Sequence, residues 1–128
     1  MGQKTAPLED PVFGRIEFAR GVWTSMRTAK PPMLVIVAPE SGPVESQRSF
    51  YRRIYASFDK LAADARRFVR ASAPEVDVSR LSPYAIDIGP ESEVALGSFV
   101  IEFADEHQNE IHRVEFINGK PATYGCDD

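Results

Sequence analysis

Apolar residues along this chain recur at a spacing of two, then of three and four, then of two again, and that change of period outlines its elements. Residues 12 to 18, VFGRIEF, and 22 to 27, VWTSMR, alternate as strands do and flank Ala19-Arg20-Gly21, a three-residue loop in which Gly can take positive φ. A hairpin is expected. If Phe18 pairs with Val22, then Ile16 meets Thr24 and Gly14 meets Met26 on one side, leaving Phe13, Arg15, Glu17, Trp23, Ser25 and Arg27 together on the other. The sequence KPP interrupts any ladder, and MLVIVA after it is a continuous apolar run suited to a buried central strand.

From Pro43 onward, Phe50, Ile54, Phe58, Leu61, Ala65, Phe68 and Val69 mark the stripe of an amphipathic helix from about residue 43 to 71, capped by Ser41 or Gly42. One such helix would run about 43 Å and lie across a whole sheet. Pro39 and Pro43 remove donors at its start and Glu40 repels negative charge, which argues against an anion site there.

Period two returns past Pro74. Tyr84, Ile86 and Ile88 share a face, GPESE turns, and VALGSFVIEFA makes a longer strand with Phe99, Ile101 and Phe103 aligned. IHRVEFI follows, then Asn118-Gly119 as a two-residue hairpin turn, and KPATYGC returns as an edge strand because Pro121 cannot donate to a ladder. The expected fold is α+β: a mostly antiparallel sheet of about six strands, ordered β-β-β-α-β-β-β, with one long amphipathic helix on one face. With 128 residues, 43% of them hydrophobic, a single domain over 1–128 is expected, residues 1–11 forming a flexible arm.

Charge modifies this picture. The net charge is −4, which gives no general attraction to nucleic acid or anionic lipid, but the charges are unevenly placed. Residues 43–72 carry seven basic and three acidic side chains, and residues 73–128 carry three basic and twelve acidic. Such a helix face is most often simply solvated, yet the acidic half could steer a protein partner. No apolar run approaches the roughly 20 residues of a membrane-spanning helix. The N-terminus lacks a secretory h-region, and the one cysteine, Cys126, suits a reducing compartment, so the cytoplasm is expected.

Chemistry concentrates in ADEHQNEIH, residues 104 to 112, which holds both histidines, with Glu102 just upstream. His107, His112 and Asp105 offer metal-ligand atoms, and His112 with Glu110 offers an acid/base pair. The plainer reading is preferred, a polar turn at 105–110 with His107 exposed at its tip and His112 turned to the apolar side beside Val114. The Asn-Gly turn pairs residue 112 with 125 and 111 with 126, which sets Cys126 on the opposite face from His112 and excludes a nucleophilic pair. No P-loop, G-x-S-x-G, G-x-G-x-x-G or H-E-x-x-H occurs. On the mixed face of the first hairpin, Phe13, Arg15, Glu17 and Trp23 combine residue types enriched at protein interfaces.

FGRIEF followed by VW, one central helix and a closing hairpin with INGKP together resemble the small uncharacterised bacterial α+β domains that include toxin-neutralising immunity proteins. The resemblance implies a partner-binding protein that is not an enzyme, and carries no catalytic residues. The function expected is therefore a non-catalytic protein-binding domain, an immunity or accessory factor, acting through the acidic surface or an exposed Trp23 face. No cofactor is expected, nucleic acid is disfavoured, and a homo-oligomer is compatible with the reading. The alternative is a small metal-dependent or acid/base enzyme centred on His112.

Overall fold

A computed structural model describes residues 5–25 and 32–127. The chain runs β1 (Leu8–Asp10), β2 (Gly14–Ala19), β3 (Val22–Ser25), β4 (Met33–Val37), α1 (Glu45–Ala56), α2 (Phe58–Ser72), a turn of 3-10 helix at Val78–Arg80, β5 (Ser82–Ile88), α3 (Glu91–Ala95), β6 (Phe99–Asp105), β7 (Glu110–Ile117) and β8 (Lys120–Asp127). All eight strands form one sheet in chain order. Every neighbouring pair is antiparallel except β4 and β5, which run parallel. Two antiparallel meanders are thus joined edge to edge, and the parallel join needs the long helical crossover that α1 and α2 supply. The α+β class stands, but the six-strand sheet with one long helix is corrected to a mixed eight-strand sheet with three helices.

The expected single helix breaks at Ser57, whose φ of −119° and ψ of 20° leave the helical region. Serine competes with helical hydrogen bonding through its own side chain, so it is a weak link. The apolar stripe hid the break because Phe58 and Leu61, packed at the core's margin, continue its spacing. Buried positions are Gln47, Phe50 and Ile54 in α1, then Ala62, Ala65 and Val69 in α2. A straight 43 Å rod would also diverge from a twisted sheet, which two shorter helices can follow. Helix α1 starts at Glu45 with Val44 in the cap position, later than the expected start near Pro43 with Ser41 or Gly42 as cap. GPESE likewise is no simple turn. Val94 and Ala95 close the short α3, and β6 begins only at Phe99, after Gly97 at a φ of +67° packed against the backbone of Asn118.

The first hairpin is tighter than expected. Arg20 and Gly21, at φ of 56° and 84°, form a two-residue turn of the kind whose twist matches flanking strands. Ala19 pairs with Val22 and Phe18 with Trp23, a shift of one residue that moves every side chain of β3 to the other face. Trp23 consequently lies in the core at 0% exposure, its indole N–H donating to the Pro39 carbonyl at 2.9 Å. The expected pairing of Gly14 with Met26 and the position of Arg27 fall outside the described residues. Some of the presumed arm is also structured. Leu8–Asp10 pairs with β2, and the buried Asp10 carboxylate accepts from the Val12 and Phe13 amides and from Arg48 Nε at 2.8 Å.

Gln47 binds the two halves together. It is 1% exposed, and its Nε2 donates to the carbonyls of Val37, at the end of β4, and Gly89, just past β5, at 2.8 and 2.9 Å. Its Oε1 accepts from the Val44 amide at the start of α1, at 3.0 Å. One amide therefore satisfies three backbone groups where the parallel strands end. We expect Gln47→Leu, similar in volume, to lower unfolding free energy by about 2–4 kcal/mol through the stranded groups. Urea denaturation measures this, and a loss well under 1 kcal/mol would mean that the tie does not hold the crossover.

Candidate functional site

The registers show which side chains share a face. Across the sheet, Glu17, Thr24, Val35, Asp87, Val100, Glu115 and Thr123 are paired in succession, strand by strand. A second row runs Met33, Ala85, Glu102, Arg113 and Gly125. These positions alternate with Ile36, Ile86, Ile101 and Val114, which are buried with the helices in one core cluster. Hence the helices occupy one side of the sheet, and among the described residues no helix is packed on the other. That uncovered side has an aliphatic centre, with Val37 42% exposed, and the acidic residues Glu17, Asp87, Glu102, Glu115 and Asp127 around it. Arg113 is the basic residue at their centre, 3.0 Å from Glu102 Oε2 and 3.4 Å from Asp87 Oδ2.

Asp87 is the most perturbed group on this face. Burial raises its pKa to about 7, the neighbouring Glu102 adds to the rise, and Arg113 opposes it. Its Oδ1 is buried without a hydrogen-bond partner among the described residues. A carboxyl in this setting takes up a proton near neutrality, so the face can change charge within the physiological range.

A second cluster sits at the opposite side of the sheet, on the last hairpin. Ile117 pairs with Lys120 and Phe116 with Pro121, as the Asn-Gly turn requires, but Glu115 pairs with Thr123. Ala122 is thus an extra residue, a bulge, beside a proline that cannot donate to the ladder. Every pairing beyond it moves by one, so that His112 lies opposite Cys126 and Ile111 opposite Asp127. The expectation that His112 and Cys126 lie on opposite faces is corrected. His112 Nε2 is 3.8 Å from Cys126 Sγ and 3.2 Å from Glu110 Oε1, while Nδ1 is 2.7 Å from the Tyr124 hydroxyl. The Tyr124 ring stacks on the imidazole at 5.9 Å between centroids. Its phenol pKa is pushed up to about 12, by burial first and then by Cys126, Glu110 and Glu75.

The other anticipated residues are dispersed. His107 is exposed in the turn, as expected, while Asp105 is buried and its Oδ1 accepts from the Gln108 amide at 3.1 Å, a turn-closing role. Among the described residues, the group with metal-binding geometry is Glu110, His112 and Cys126, without His107 or Asp105. Phe13 and Trp23 are buried in the core, whereas Arg15, paired with Glu9 at 3.2 Å, and Glu17 lie on the uncovered side. Tyr124 and Cys126 were missed as partners of His112, and Pro121 was the signal that the register would slip. No family model, curated protein or solved structure matches this chain.

Because folded Asp87 holds its proton to about pH 7 and the unfolded group releases it near 3.8, the folded state binds more protons across that interval. Stability therefore falls as pH rises through it and levels off above. Asp87→Asn should shrink the difference in urea midpoint between about pH 5 and about pH 8, chiefly by raising the midpoint at the higher pH. An unchanged difference would place the pH sensitivity elsewhere.

Proposed function

We propose that this chain is a non-catalytic domain that binds another protein on the uncovered face of its sheet, and that the partner presents basic side chains around an aliphatic patch. The observation that carries this reading is the uncovered row itself, in which Thr24 and Val35 lie between Glu17 and Asp87, and Val100 between Asp87 and Glu115. An exposed aliphatic centre within a polar rim is the composition of a protein interface, and the acidic rim selects for a basic partner and speeds encounter. In this reading the acidic surface is the uncovered side of the sheet, while the Trp23 face drops out because the indole is buried. No helix of the described residues is long and apolar enough to cross a membrane. A cytoplasmic setting, with a reduced Cys126, suits the proposal.

A photo-crosslinking residue placed singly at Val37, at Thr123 and at Tyr55 tests it in the source cell. Tyr55 is 65% exposed on α1 and serves as the helical-side control. The expected result is one basic protein cross-linked from Val37 and Thr123 but not from Tyr55, with the yield cut several-fold by Glu115→Lys. Cross-links from Tyr55 alone, to a second copy of the chain, or insensitive to the charge reversal would overturn the reading.

A further inference from the structure

We propose that Glu110, His112 and Cys126 form a transition-metal site of the zinc class at the open end of the β7–β8 hairpin. Three donor atoms of the types zinc takes converge there: His112 Nε2, Glu110 Oε1 and Cys126 Sγ, all within 4.8 Å of one another. Tetrahedral zinc with ordinary bond lengths sets a ligand nitrogen about 3.4 Å from a carboxylate oxygen and about 3.6 Å from a thiolate sulfur. The separations here are 3.2 and 3.8 Å, so two of the three edges of the ligand triangle are already in place. Only the oxygen-to-sulfur edge needs adjusting, and Cys126 is exposed and near the end of an edge strand, where a rotamer change costs little.

The surroundings of His112 favour a metal over a nucleophilic pair. In a thiol–imidazole or hydroxyl–imidazole pair, the orienting carboxylate bonds the ring nitrogen remote from the nucleophile. In this protein Glu110 and Cys126 face the same nitrogen, Nε2, and the Tyr124 hydroxyl stands at Nδ1. When that hydroxyl accepts a hydrogen bond from Nδ1–H, the Nε2 lone pair, a carboxylate oxygen and a sulfur point at one another, and a cation relieves their repulsion. Histidines that bind metals are held in this way through the other nitrogen. His112 is 2% exposed and fixed, while Glu110 is half-buried and Cys126 open, which leaves a way in for the ion and a fourth position for water.

Cobalt(II) as a spectroscopic probe and zinc as competitor test this on the full chain after treatment with a chelator. The expected result is one cobalt per chain, the intense visible bands of a tetrahedral ion and a thiolate charge-transfer band, all displaced by one equivalent of zinc. Because removing a buried ring endangers the fold, the variants are Cys126→Ser, which should lose the charge-transfer band, and Glu110→Gln, which should bind well over tenfold more weakly. Tyr124→Phe should weaken binding roughly 10–100-fold while keeping the band, as befits a positioning residue. Zinc should raise the melting temperature of the parent chain and not that of Cys126→Ser. Equal binding by the parent, Cys126→Ser and Glu110→Gln, loss of binding only in His107→Ala, or no tetrahedral spectrum at all would overturn the proposal.

Discussion

Where β4 and β5 run side by side, their parallel ladder joins two antiparallel meanders, and the hydrogen bonds of one amide close off its end. Parallel neighbours cannot share a tight turn, so the chain must leave the sheet, cross it as α1 and α2, and return. At the point of departure the backbone groups of Val37, Val44 and Gly89 face the interior, beyond the regular ladder. Gln47 answers all three. A longer or shorter side chain would leave at least one buried, and an apolar one all of them. Its position also sets where α1 starts, and hence which residues of the helical crossover meet Ile36, Ile86 and Ile88. The Asp10 carboxylate does similar work for the first loop, which it fixes against Arg48.

That construction has a consequence for surface chemistry. With both long helices on one side, sheet residues of the opposite side are shielded only by their neighbours. Small side chains such as Ala85 become buried there while longer ones stay half in water. Asp87 is caught in this zone, shielded enough to favour its protonated form, with Glu102 adding to that preference and Arg113 opposing it. A partner docking on this face would complete the desolvation, and a basic group placed beside Asp87 would offset its cost.

How much of this was legible in the sequence follows from the reach of each signal. Buried faces of β5 and β6 were readable because Ile86 and Ile88, then Phe99, Ile101 and Phe103, alternate, and a period of two needs no knowledge of partners; Tyr84, expected on the face of Ile86 and Ile88, is instead 44% exposed at an irregularity between Pro83 and Ala85. The α+β class was also readable from the change of period at Phe50, but the parallel join of β4 to β5 was not. Register was not, because it depends on turn geometry at single residues. Three residues or two in the turn at Arg20-Gly21 decide whether Trp23 is in the core or in solvent, and Ala122 alone decides whether Cys126 meets His112. The helix break was hidden for the opposite reason, since Phe58 and Leu61 satisfy a helical stripe on either side of Ser57. Gln47 carried no signal as a buried group, polar residues in a first helical turn being ordinarily solvated.

The bulge in β8 links the candidate cluster to the local stability of the sheet. β8 is an edge strand with nearly all of its residues exposed, and such strands open more readily than the core they border. Pro121 and the bulge protect that edge from pairing with other chains, at the cost of a weaker ladder. The same bulge carries Tyr124 and Cys126 onto the side of His112, so the strand's attachment comes to depend on what the imidazole binds. At the end of β8 the Tyr124 hydroxyl, at 2.7 Å, and the Cys126 thiol, at 3.8 Å, reach the imidazole. A cation shared by Glu110, His112 and Cys126 would clasp the strand's terminus to a residue fixed in the core, and occupancy and order of the edge would then rise together.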